Sequence, residues 1–372
     1  MDEPVERFVG LMSGTSLDGV DGVLVAFGDE GLCVEAHAFS PFASVLRTEL
    51  LALNDSGPDE LHRAALAANA LARVYADVVL TLLETTGQDS GVITAIGAHG
   101  QTVRHRPGEF DRTGYTLQLN NPALLAELAG IDVVADFRSR DVAAGGQGAP
   151  LVPAFHREVF GQIGSSVCVL NIGGISNLSV LHPNGGVMGF DCGPGNALMD
   201  HWCWRHTGQL FDTGGEWAAG GQVIAPLLDA LMSEPYLRLG PPKSTGRDLF
   251  NANWLANRLA ALPDPEPRDV QTTLLEFTAL VCSADVHRHA PDCATLLVCG
   301  GGALNTALMH RLQSALPSVS VSSTAQRGLP PMQVEATAFA WLARKAMHRQ
   351  TASLQSVTGT RGARVLGALY PR

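Results

Sequence analysis

Short apolar runs separated by turns of glycine and small polar residues predict strands along much of the chain. Residues 8–11 and 20–27 are two such runs, and the small residues between them predict a hairpin. Residues 166–170 and 178–181 repeat this order near the middle of the sequence. Because the same pair of strands recurs around a small-residue loop, the pattern favours a duplicated α/β fold.

Apolar residues at helical spacing predict helices between these strands. The longest such stretch covers residues 48–85, and its apolar faces are expected to contain Leu61, Ala65, Leu66, Ala72 and Val79. Further strands are predicted at residues 93–96, 132–135 and 295–299. Further helices are predicted at residues 122–129, after the Asp-Pro-Glu-Pro break at 264–267, and at 304–316 and 334–348.

The length of 372 residues is typical of two domains. The first domain is expected over residues 1–140 and the second over residues 141–372. The last helix is a candidate for packing back on the first domain.

Composition excludes several classes of protein. Hydrophobic residues make up 46% of the chain and charged residues 16%, which supports a large core and excludes a disordered chain. The formal net charge of −11 argues against nucleic-acid binding. No uninterrupted apolar run of about 18 residues predicts a membrane span. Seven cysteines without CxxC spacing, behind an acidic N-terminus, predict reduced thiols in a cytoplasmic protein.

Several strong catalytic motifs are absent. Lys243-Ser244 follows Pro242 where a P-loop requires glycine, and Leu198 stands where a dinucleotide-binding motif requires its third glycine. No GxSxG or HExxH motif occurs, and no residue is assigned to a metal ion.

Three glycine-containing loops remain as candidates for function. Residues 13–21 combine two glycines with hydroxyl side chains that could bind phosphate, although an ordinary hairpin turn is the alternative. Asp191 lies between an apolar strand and a Gly-Pro-Gly turn, where it could be catalytic or only a turn former. Residues 299–303 contain three glycines, which suit either a nucleotide ring or a tight turn before a helix. In this order the loops resemble those of actin-like ATPases and sugar kinases.

The full set of motifs resembles one family of that group. GLMSGTSLDGVD at 10–21, AHGQT at 98–102, DFR at 136–138, GGQGAPLVP at 145–153, NIGGISN at 171–177, FDCGPGN at 190–196, PKSTGRD at 242–248, CGGGA at 299–303 and QVE at 333–335 occur in the order typical of the anhydro-N-acetylmuramic acid kinases. The resemblance covers about residues 8–345. Cys192 departs from it, because threonine is expected after the catalytic aspartate.

The resemblance implies a duplicated two-domain actin-like ATPase fold, of the ribonuclease H-like type, with a central ATP cleft. It implies a cytoplasmic enzyme of peptidoglycan recycling that uses ATP and Mg²⁺. The reaction would open the 1,6-anhydro ring of anhydro-N-acetylmuramic acid with water and phosphorylate O6, which gives N-acetylmuramic acid 6-phosphate and ADP.

The resemblance also implies roles for individual residues. Asp191 would be the catalytic base. ATP would be bound by Gly14, Thr15, Ser16, Leu17, Asp18, Gly19, Val20, Asp21, Asn171, Gly173, Gly174, Gly300, Gly301 and Gly302. The sugar would be bound by His99, Gln101, Arg138, Asp141, Gly195, Asn196 and Glu335.

Several of these residues have a structural alternative. Arg138 suits the lactyl carboxylate of the sugar, but a salt bridge to Asp136 or Asp141 would also explain it. Glu335 could instead be a favourable charge in the first turn of a helix. Lys243 and Arg247 could close over phosphate or sugar, or could be solvated surface charges.

Acetal hydrolysis normally needs a carboxylate and an acid. Here the γ-phosphoryl group of ATP could capture the leaving oxygen, so one carboxylate suffices, and water attack opposite that oxygen predicts inversion at C1. The competing functions are a sugar kinase acting on a free hexose hydroxyl and a scaffold ATPase. Trp202, Trp204 and Trp217 could support a homodimer or belong to the core.

Overall fold

The computed structural model describes residues 5–14, 16–29, 31–162, 164–246 and 249–372. Thr15, one of the predicted ATP-binding residues, and Arg247 lie outside these described residues. The chain divides into two compact units. Unit 1 comprises the described residues of Met1–Phe155 and Gln333–Arg372, and unit 2 comprises those of His156–Met332.

The strands are β1 (Glu6–Met12), β2 (Gly19–Gly28), β3 (Gly31–Pro41), β4 (Ile93–Ala98), β5 (Gln101–Pro107), β6 (Gly114–Leu119), β7 (Val133–Ala135), β8 (Ser166–Ile172), β9 (Ile175–Leu181), β10 (Val187–Pro194), β11 (Cys293–Cys299), β12 (Ser320–Ser323) and β13 (Ala368–Tyr370). The α-helices are α1 (Ser44–Ala52), α2 (Glu60–Thr86), α3 (Pro122–Ala129), α4 (Ser139–Ala143), α5 (Val152–Phe160), α6 (Ala197–Thr207), α7 (Glu216–Ala219), α8 (Ala225–Met232), α9 (Ala252–Leu259), α10 (Pro267–His289), α11 (Thr306–Ala315), α12 (Val334–Met347) and α13 (Gln355–Thr358).

Unit 1 is built on a mixed sheet with the strand order β13-β7-β4-β1-β2-β3. β1, β2 and β3 form an antiparallel meander, while β4 runs parallel to β1 and β7 runs parallel to β4. β13 closes the other edge in antiparallel pairing with β7. β5 and β6 form a separate two-stranded sheet.

Unit 2 repeats this arrangement in the order β10-β9-β8-β11-β12. β8, β9 and β10 are antiparallel, and β11 and β12 continue the sheet in parallel pairing from β8. An antiparallel meander extended by parallel strands on its first strand therefore occurs twice. This confirms the predicted duplicated α/β fold of the actin-like, ribonuclease H-like type.

The predicted hairpins are present, but the long helical stretch after the first one is wrong in detail. It is two helices, α1 and α2, interrupted at Gly57-Pro58, since proline and glycine disfavour a helix interior. Ala72 and Val79 are buried as expected, whereas Leu61 and Leu66 are exposed and so is Ala65. The fully buried positions of α2 begin at Ala67, and before them the half-buried Ala64 packs against the core.

α2 is also the one described helix that is long and apolar enough to cross a membrane by length and composition. More than half of its most apolar window is buried inside the fold, where it packs against β2, β3 and α3. This burial is typical of a core helix.

α12 lies directly on the sheet of unit 1 because two glycines leave room for its backbone. A Cβ atom on Gly10 would lie 1.9 Å from the carbonyl oxygen of Ala336, and one on Gly97 would lie 2.0 Å from that of Phe339. α12, α13 and β13 thus belong to unit 1, and the boundary expected between residues 140 and 141 falls inside α4 of the same unit.

Candidate active site

Hydrogen bonds to buried side chains hold the loop after β1 in place. The hydroxyl of Ser13 is 2.9 Å from that of Tyr75 on α2 and donates to the carbonyl of Gly100 at 3.2 Å. The carbonyl of Gly14 accepts from Gln101 Nε2 at 3.1 Å. Ser16 donates to Asp18 at 2.6 Å, so that these two side chains cap the turn together.

The predicted ATP-binding residues of this loop do not all lie in the turn. Gly19, Val20 and Asp21 belong to β2, where the Val20 side chain is in the core and Asp21 faces His37 at 3.0 Å. Leu17 is buried with a left-handed backbone at φ 56°. For Leu17 and Val20, only the main chain is left to contact a ligand.

His99 and Arg138 form a pair in unit 1. The Nε and Nη2 atoms of Arg138 lie 3.2 and 2.9 Å from His99 Nε2, and its Nη1 donates to the carbonyl of Gly148 at 2.8 Å. Because a guanidinium only donates, Nε2 must accept and the ring proton lies on Nδ1. Burial, followed by the charge of Arg138, holds the pKa of His99 well below its usual value, so the ring is neutral.

Two buried polar atoms of this group lack a hydrogen bond. The carbonyls of Ser13 and Gly100 lie near the His99 ring, but Nδ1 makes no hydrogen bond with any residue that the structure describes. Gln101 Oε1 is likewise without a partner in the described part of the chain, although Gln101 is only 1% exposed. One buried donor and one buried acceptor therefore remain available to a polar ligand.

Asp141 is fully buried, and its carboxylate is hydrogen-bonded to other residues of the protein. Its carboxylate accepts from the backbone N–H of Gly148 at 2.8 Å and from the hydroxyl of Thr358 at 2.9 Å. The carbonyl of Thr358 in turn accepts from Gln147 N–H at 2.7 Å. Asp141 therefore joins the glycine loop at 145–148 to α13, and its contacts are with these two segments.

Glu335 lies in the first turn of α12 and is partly buried. Phe339 follows one helical turn later, and its ring centroid is 4.7 Å from that of His99. Since residues four apart share a helix face, Glu335 projects from the same face that contacts His99.

In unit 2, the turn after β10 is bonded to the β8–β9 hairpin. The backbone N–H groups of Gly195 and Asn196 donate to the carbonyls of Gly174 and Gly173 at 3.0 and 2.8 Å. Gly195 has no room for a side chain, because a Cβ atom would lie 2.3 Å from Gly173 O. The Asn196 amide also donates to the carbonyl of Ile172 at 3.1 Å.

The glycines after β11 meet the same hairpin. Gly300 has φ 75°, and a Cβ atom there would lie 2.5 Å from Asn171 Oδ1. A Cβ atom on Gly302 would lie 2.4 Å from the side chain of Ile172, and one on Gly301 would lie 3.3 Å from Asn196 Nδ2. Asn171 Oδ1 is buried and unpartnered among the described residues. Unit 2 thus brings together the predicted residues Asn171, Gly173, Gly174, Gly195, Asn196, Gly300, Gly301 and Gly302.

Asp191 does not end its strand, as the sequence suggested, but lies inside β10 immediately before a bulge in the pairing with β9. Residues of the neighbouring segment hold it in place. Its backbone N–H donates to Lys243 O at 3.2 Å, and its Oδ2 accepts from Thr245 N–H at 3.0 Å. The hydroxyl of Tyr236 donates to the Asp191 carbonyl at 2.8 Å.

Lys243 is neither a closing residue nor a solvated charge, so both interpretations from the sequence are wrong. Its ammonium is buried 3.1 Å from Asp285 on α10, with side-chain exposures of 2% and 3%. Sequence reasoning also missed Tyr75, Tyr236 and Asp285, because their partners are far away in the chain and no local pattern marks them.

Cys192, the departure from the family motif, is buried beside the thiol of Cys282 on α10. This contact, followed by burial, raises the pKa of Cys192. The residue after Asp191 therefore packs against the helix and is an unreactive thiol. Among the described residues, no cluster of three or more His, Cys, Asp or Glu side chains could hold a metal ion.

The chain is similar to known proteins over nearly its whole length. Residues 6–372 match the family model described as anhydro-N-acetylmuramic acid kinase. The enzyme of that name from Variovorax paradoxus (strain S110) is 62% identical over 371 residues, which is 98% of this chain and 99% of the relative. The one from Albidiferax ferrireducens is 59% identical, over 98% of this chain and 99% of the relative.

Two solved structures are similar at low identity. The activator of the 2-hydroxyisocaproyl-CoA dehydratase from Clostridium difficile with bound ADPNP aligns with a TM-score of 0.44 at 10% identity, over 94% of this chain and 100% of that one. A ROK family glucokinase from Streptomyces griseus in complex with glucose and AMPPNP aligns with a TM-score of 0.42 at 14% identity, over 91% and 99% of the two chains.

Proposed function

This chain belongs to the anhydro-N-acetylmuramic acid kinase family, as its motifs predicted, and we propose that its ATP-dependent reaction couples ring hydrolysis to phosphorylation with Asp191 as the base. The substrates are 1,6-anhydro-N-acetylmuramic acid, ATP and water. The products are N-acetylmuramic acid 6-phosphate and ADP. The observation that carries the assignment of Asp191 is its place at a β-bulge, with its carboxylate and backbone both held by the segment at 243–245.

The proposed reaction needs one base and one acceptor. Asp191 takes a proton from water while the water oxygen bonds to C1 of the sugar. The bond from C1 to O6 breaks, and O6 forms a bond to the γ-phosphorus as the bond from that phosphorus to ADP breaks. Because water attacks the face opposite O6, the configuration at C1 inverts.

For sugar binding, we assign direct contacts to His99, Gln101, Arg138 and Glu335 in unit 1. The unpartnered Nδ1–H of His99 and Oε1 of Gln101 support this, since a hydroxyl or amide of the sugar could satisfy both. Arg138 is assigned to the lactyl carboxylate. Asp141 is assigned an indirect role through the loop at 145–148, because its carboxylate already accepts two hydrogen bonds. In unit 2, Gly195 and Asn196 are assigned to the sugar.

For ATP binding, we assign the main chain of the loop after β1 and the glycine turns of unit 2. The bare backbone at Gly300 and the unpartnered Oδ1 of Asn171 suit a nucleotide that approaches closely. Mg²⁺, bound with the nucleotide, would neutralise charge on the phosphates. Phosphate oxygens supply much of the coordination of such an ion, so few protein carboxylates are needed.

We place the enzyme in the cytoplasm, where ATP is available and thiols stay reduced. All seven cysteines are free thiols, which fits this compartment. A homodimer is also proposed. Trp202 lies in the core of unit 2 and Trp217 packs partly against it, which leaves Trp204, 57% exposed, as the candidate for the contact.

The test is the mass of the product formed in ¹⁸O-labelled water from Mg·ATP and the anhydro sugar. One heavy oxygen at C1 of a 6-phosphate is expected from the wild-type enzyme, and loss of the product is expected from Asp191→Asn. The label must be read promptly, because a free anomeric hydroxyl exchanges with water. A phosphosugar without the label would favour a kinase acting on an existing hydroxyl. ATP hydrolysis without any phosphosugar would favour a scaffold ATPase.

A further inference from the structure

The segment at 243–245 runs beside Asp191 and is fixed by a buried ion pair. Lys243 and Thr245 bind Asp191 through their backbones, at Lys243 O and Thr245 N. The side chain of Lys243 points elsewhere, to Asp285 Oδ2 at 3.1 Å. One residue thus joins the backbone of β10 to helix α10.

Two aromatic rings also lie beside the Lys243 ammonium. Its Nζ atom lies 5.4 Å from the ring centroid of Phe190 and 5.2 Å from that of Tyr236. Phe190 directly precedes Asp191, and the Tyr236 hydroxyl donates to the Asp191 carbonyl. Both rings that contact the ammonium are therefore themselves linked to Asp191.

The energetics argue for a role beyond stability. Removing two charges from water is costly, so a buried ion pair contributes little net stability compared with apolar residues of the same size. Once formed, however, the pair strongly resists separation, because either partner alone would be an uncompensated buried charge. At Asp285 Oδ1, Arg288 and His289 approach only to 3.7 and 3.9 Å, so Lys243 is the close partner. The pair is therefore a rigid connection.

We propose that Lys243 and Tyr236 are positioning residues for the reaction. Asp285 and the ring of Tyr236 hold Lys243 in place, and the hydroxyl of Tyr236 holds the Asp191 backbone directly. The proposal rests on the proposed function, since it acts through Asp191 as the base. By fixing the segment at 243–245, the pair fixes the N–H of Thr245 against Oδ2 and so sets the orientation of the carboxylate. Displacement of a catalytic group by about 1 Å can reduce the rate about 100-fold.

The main test is the double variant Lys243→Met/Asp285→Leu, which removes both charges and keeps the side-chain volume. We expect kcat to fall about 10- to 100-fold while KM for the sugar and for ATP stays within about twofold. If the two residues only stabilised the fold, their replacement would lower the melting temperature and would not lower kcat selectively. The assay uses the full chain, well below the melting temperature of every variant.

The matched control is Glu276→Gln/Arg311→Met. It removes another ion pair of α10, with Nε to Oε2 at 2.5 Å, which joins α10 to α11. Its kcat should equal that of the wild type even if its melting temperature falls. A double variant at 243 and 285 that is folded and has the kcat of this control would overturn the proposal, and so would a rise in KM with unchanged kcat.

Tyr236→Phe provides a second test that does not depend on the buried charges. It keeps the ring over Lys243 and removes the hydrogen bond to the Asp191 carbonyl, so we expect about a 3- to 10-fold lower kcat. If the charge variant does not fold, an unchanged kcat in Tyr236→Phe overturns the proposal. A wild-type enzyme that makes no labelled phosphosugar, or an Asp191→Asn variant with full activity, would instead refute the proposed function itself.

Discussion

His99 and Arg138 both belong to residue types that can carry a positive charge, yet they form a hydrogen-bonded pair. The guanidinium donates twice to His99 Nε2, and burial, followed by the charge of the guanidinium, lowers the pKa of the ring. The histidine is therefore neutral near pH 7 and carries its proton on Nδ1. A ligand at this position meets the same donor throughout the physiological range of pH.

Arg138→Lys is expected to raise the KM for the anhydro sugar about 10-fold or more, with little change in the KM for ATP. A single ammonium cannot reproduce the fork that reaches both His99 and Gly148 O, so the donor geometry for the carboxylate of the sugar is lost as well. Steady-state kinetics with each substrate varied in turn would measure this.

The matched control is Arg140→Lys, two residues further along, where the side chain is exposed. Its KM values should equal those of the wild type. An unchanged KM for the sugar in Arg138→Lys would mean that the guanidinium serves only the loop at 145–148.

At the scale of elements, the residues of unit 2 that we propose for nucleotide binding lie in turns that approach each other closely. The hairpin from β8 to β9, the turn after β10 and the glycines after β11 approach each other at backbone distance. An added Cβ atom at Gly195, Gly300 or Gly302 would overlap residues of the hairpin. Substitutions of single glycines therefore test the arrangement directly.

Gly300→Ala is expected to raise the KM for ATP about 10-fold or more, because its Cβ atom would lie 2.5 Å from Asn171 Oδ1 and 2.7 Å from Ile172 O. Gly328→Ala is the control in the same unit, since its φ is also positive, at 79°, but no atom lies within 4 Å of the added Cβ. Both variants carry backbone strain of about 1–2 kcal/mol, so strain alone cannot make them differ. We therefore expect a higher KM for ATP in Gly300→Ala and an unchanged one in Gly328→Ala. Equal KM values for ATP in the two variants would contradict the assignment.

The contact of α12 with the sheet of unit 1 makes a comparable prediction for stability. Gly10→Ala is expected to lower the free energy of unfolding by about 1–3 kcal/mol, because the new methyl group overlaps the carbonyl of Ala336 and forces α12 away from β1. Chemical denaturation measures the difference. Gly91→Ala, where no atom lies within 4 Å of the added Cβ, should unfold like the wild type. A Gly10→Ala variant of normal stability would mean that α12 shifts without cost.

At the scale of the whole molecule, local signals were enough to predict most elements. α3 has the predicted bounds because Asn121 caps its start, Pro122 occupies its first turn and Gly130 ends it. β3 was not predicted, although its side chains alternate between exposed and half-buried along its length. As an edge strand it has no continuous apolar run, so its sequence lacked the signal used for the other strands.

Sequence motifs predicted the site residues, but they did not predict the residues that hold those side chains in place. Lys243 and Asp285 are 42 residues apart, Ser13 and Tyr75 are 62 apart, and Asp141 and Thr358 are 217 apart. Such pairs form only when distant elements pack, and hydrophobic periodicity carries no information about them. Motifs could thus propose which residues form the site, while the contacts that hold those residues required the structure.

Burial of neutral histidines also links the stability of the whole molecule to pH. His156 of unit 2 is 1% exposed with its Nδ1 atom 2.9 Å from the Ser179 hydroxyl, and burial lowers its pKa from 6.5 to about 3. The unfolded chain therefore takes up a proton at a higher pH than the folded one. The contribution of His156 to stability is complete above about pH 6.5 and is lost as the pH falls from there towards 3.

His156→Asn removes this titration and retains a polar atom for Ser179. Between pH 7.5 and 5.5, the free energy of unfolding of the variant should fall by about 1.4 kcal/mol less than that of the wild type. Urea denaturation at the two pH values measures both changes, and His310→Asn, at an exposed position, should follow the wild type. If His156→Asn lost as much stability as the wild type over this range, the histidine would have to be protonated in the folded protein. The Ser179 hydroxyl would then accept from an imidazolium, and burial would not be what sets the charge of this ring.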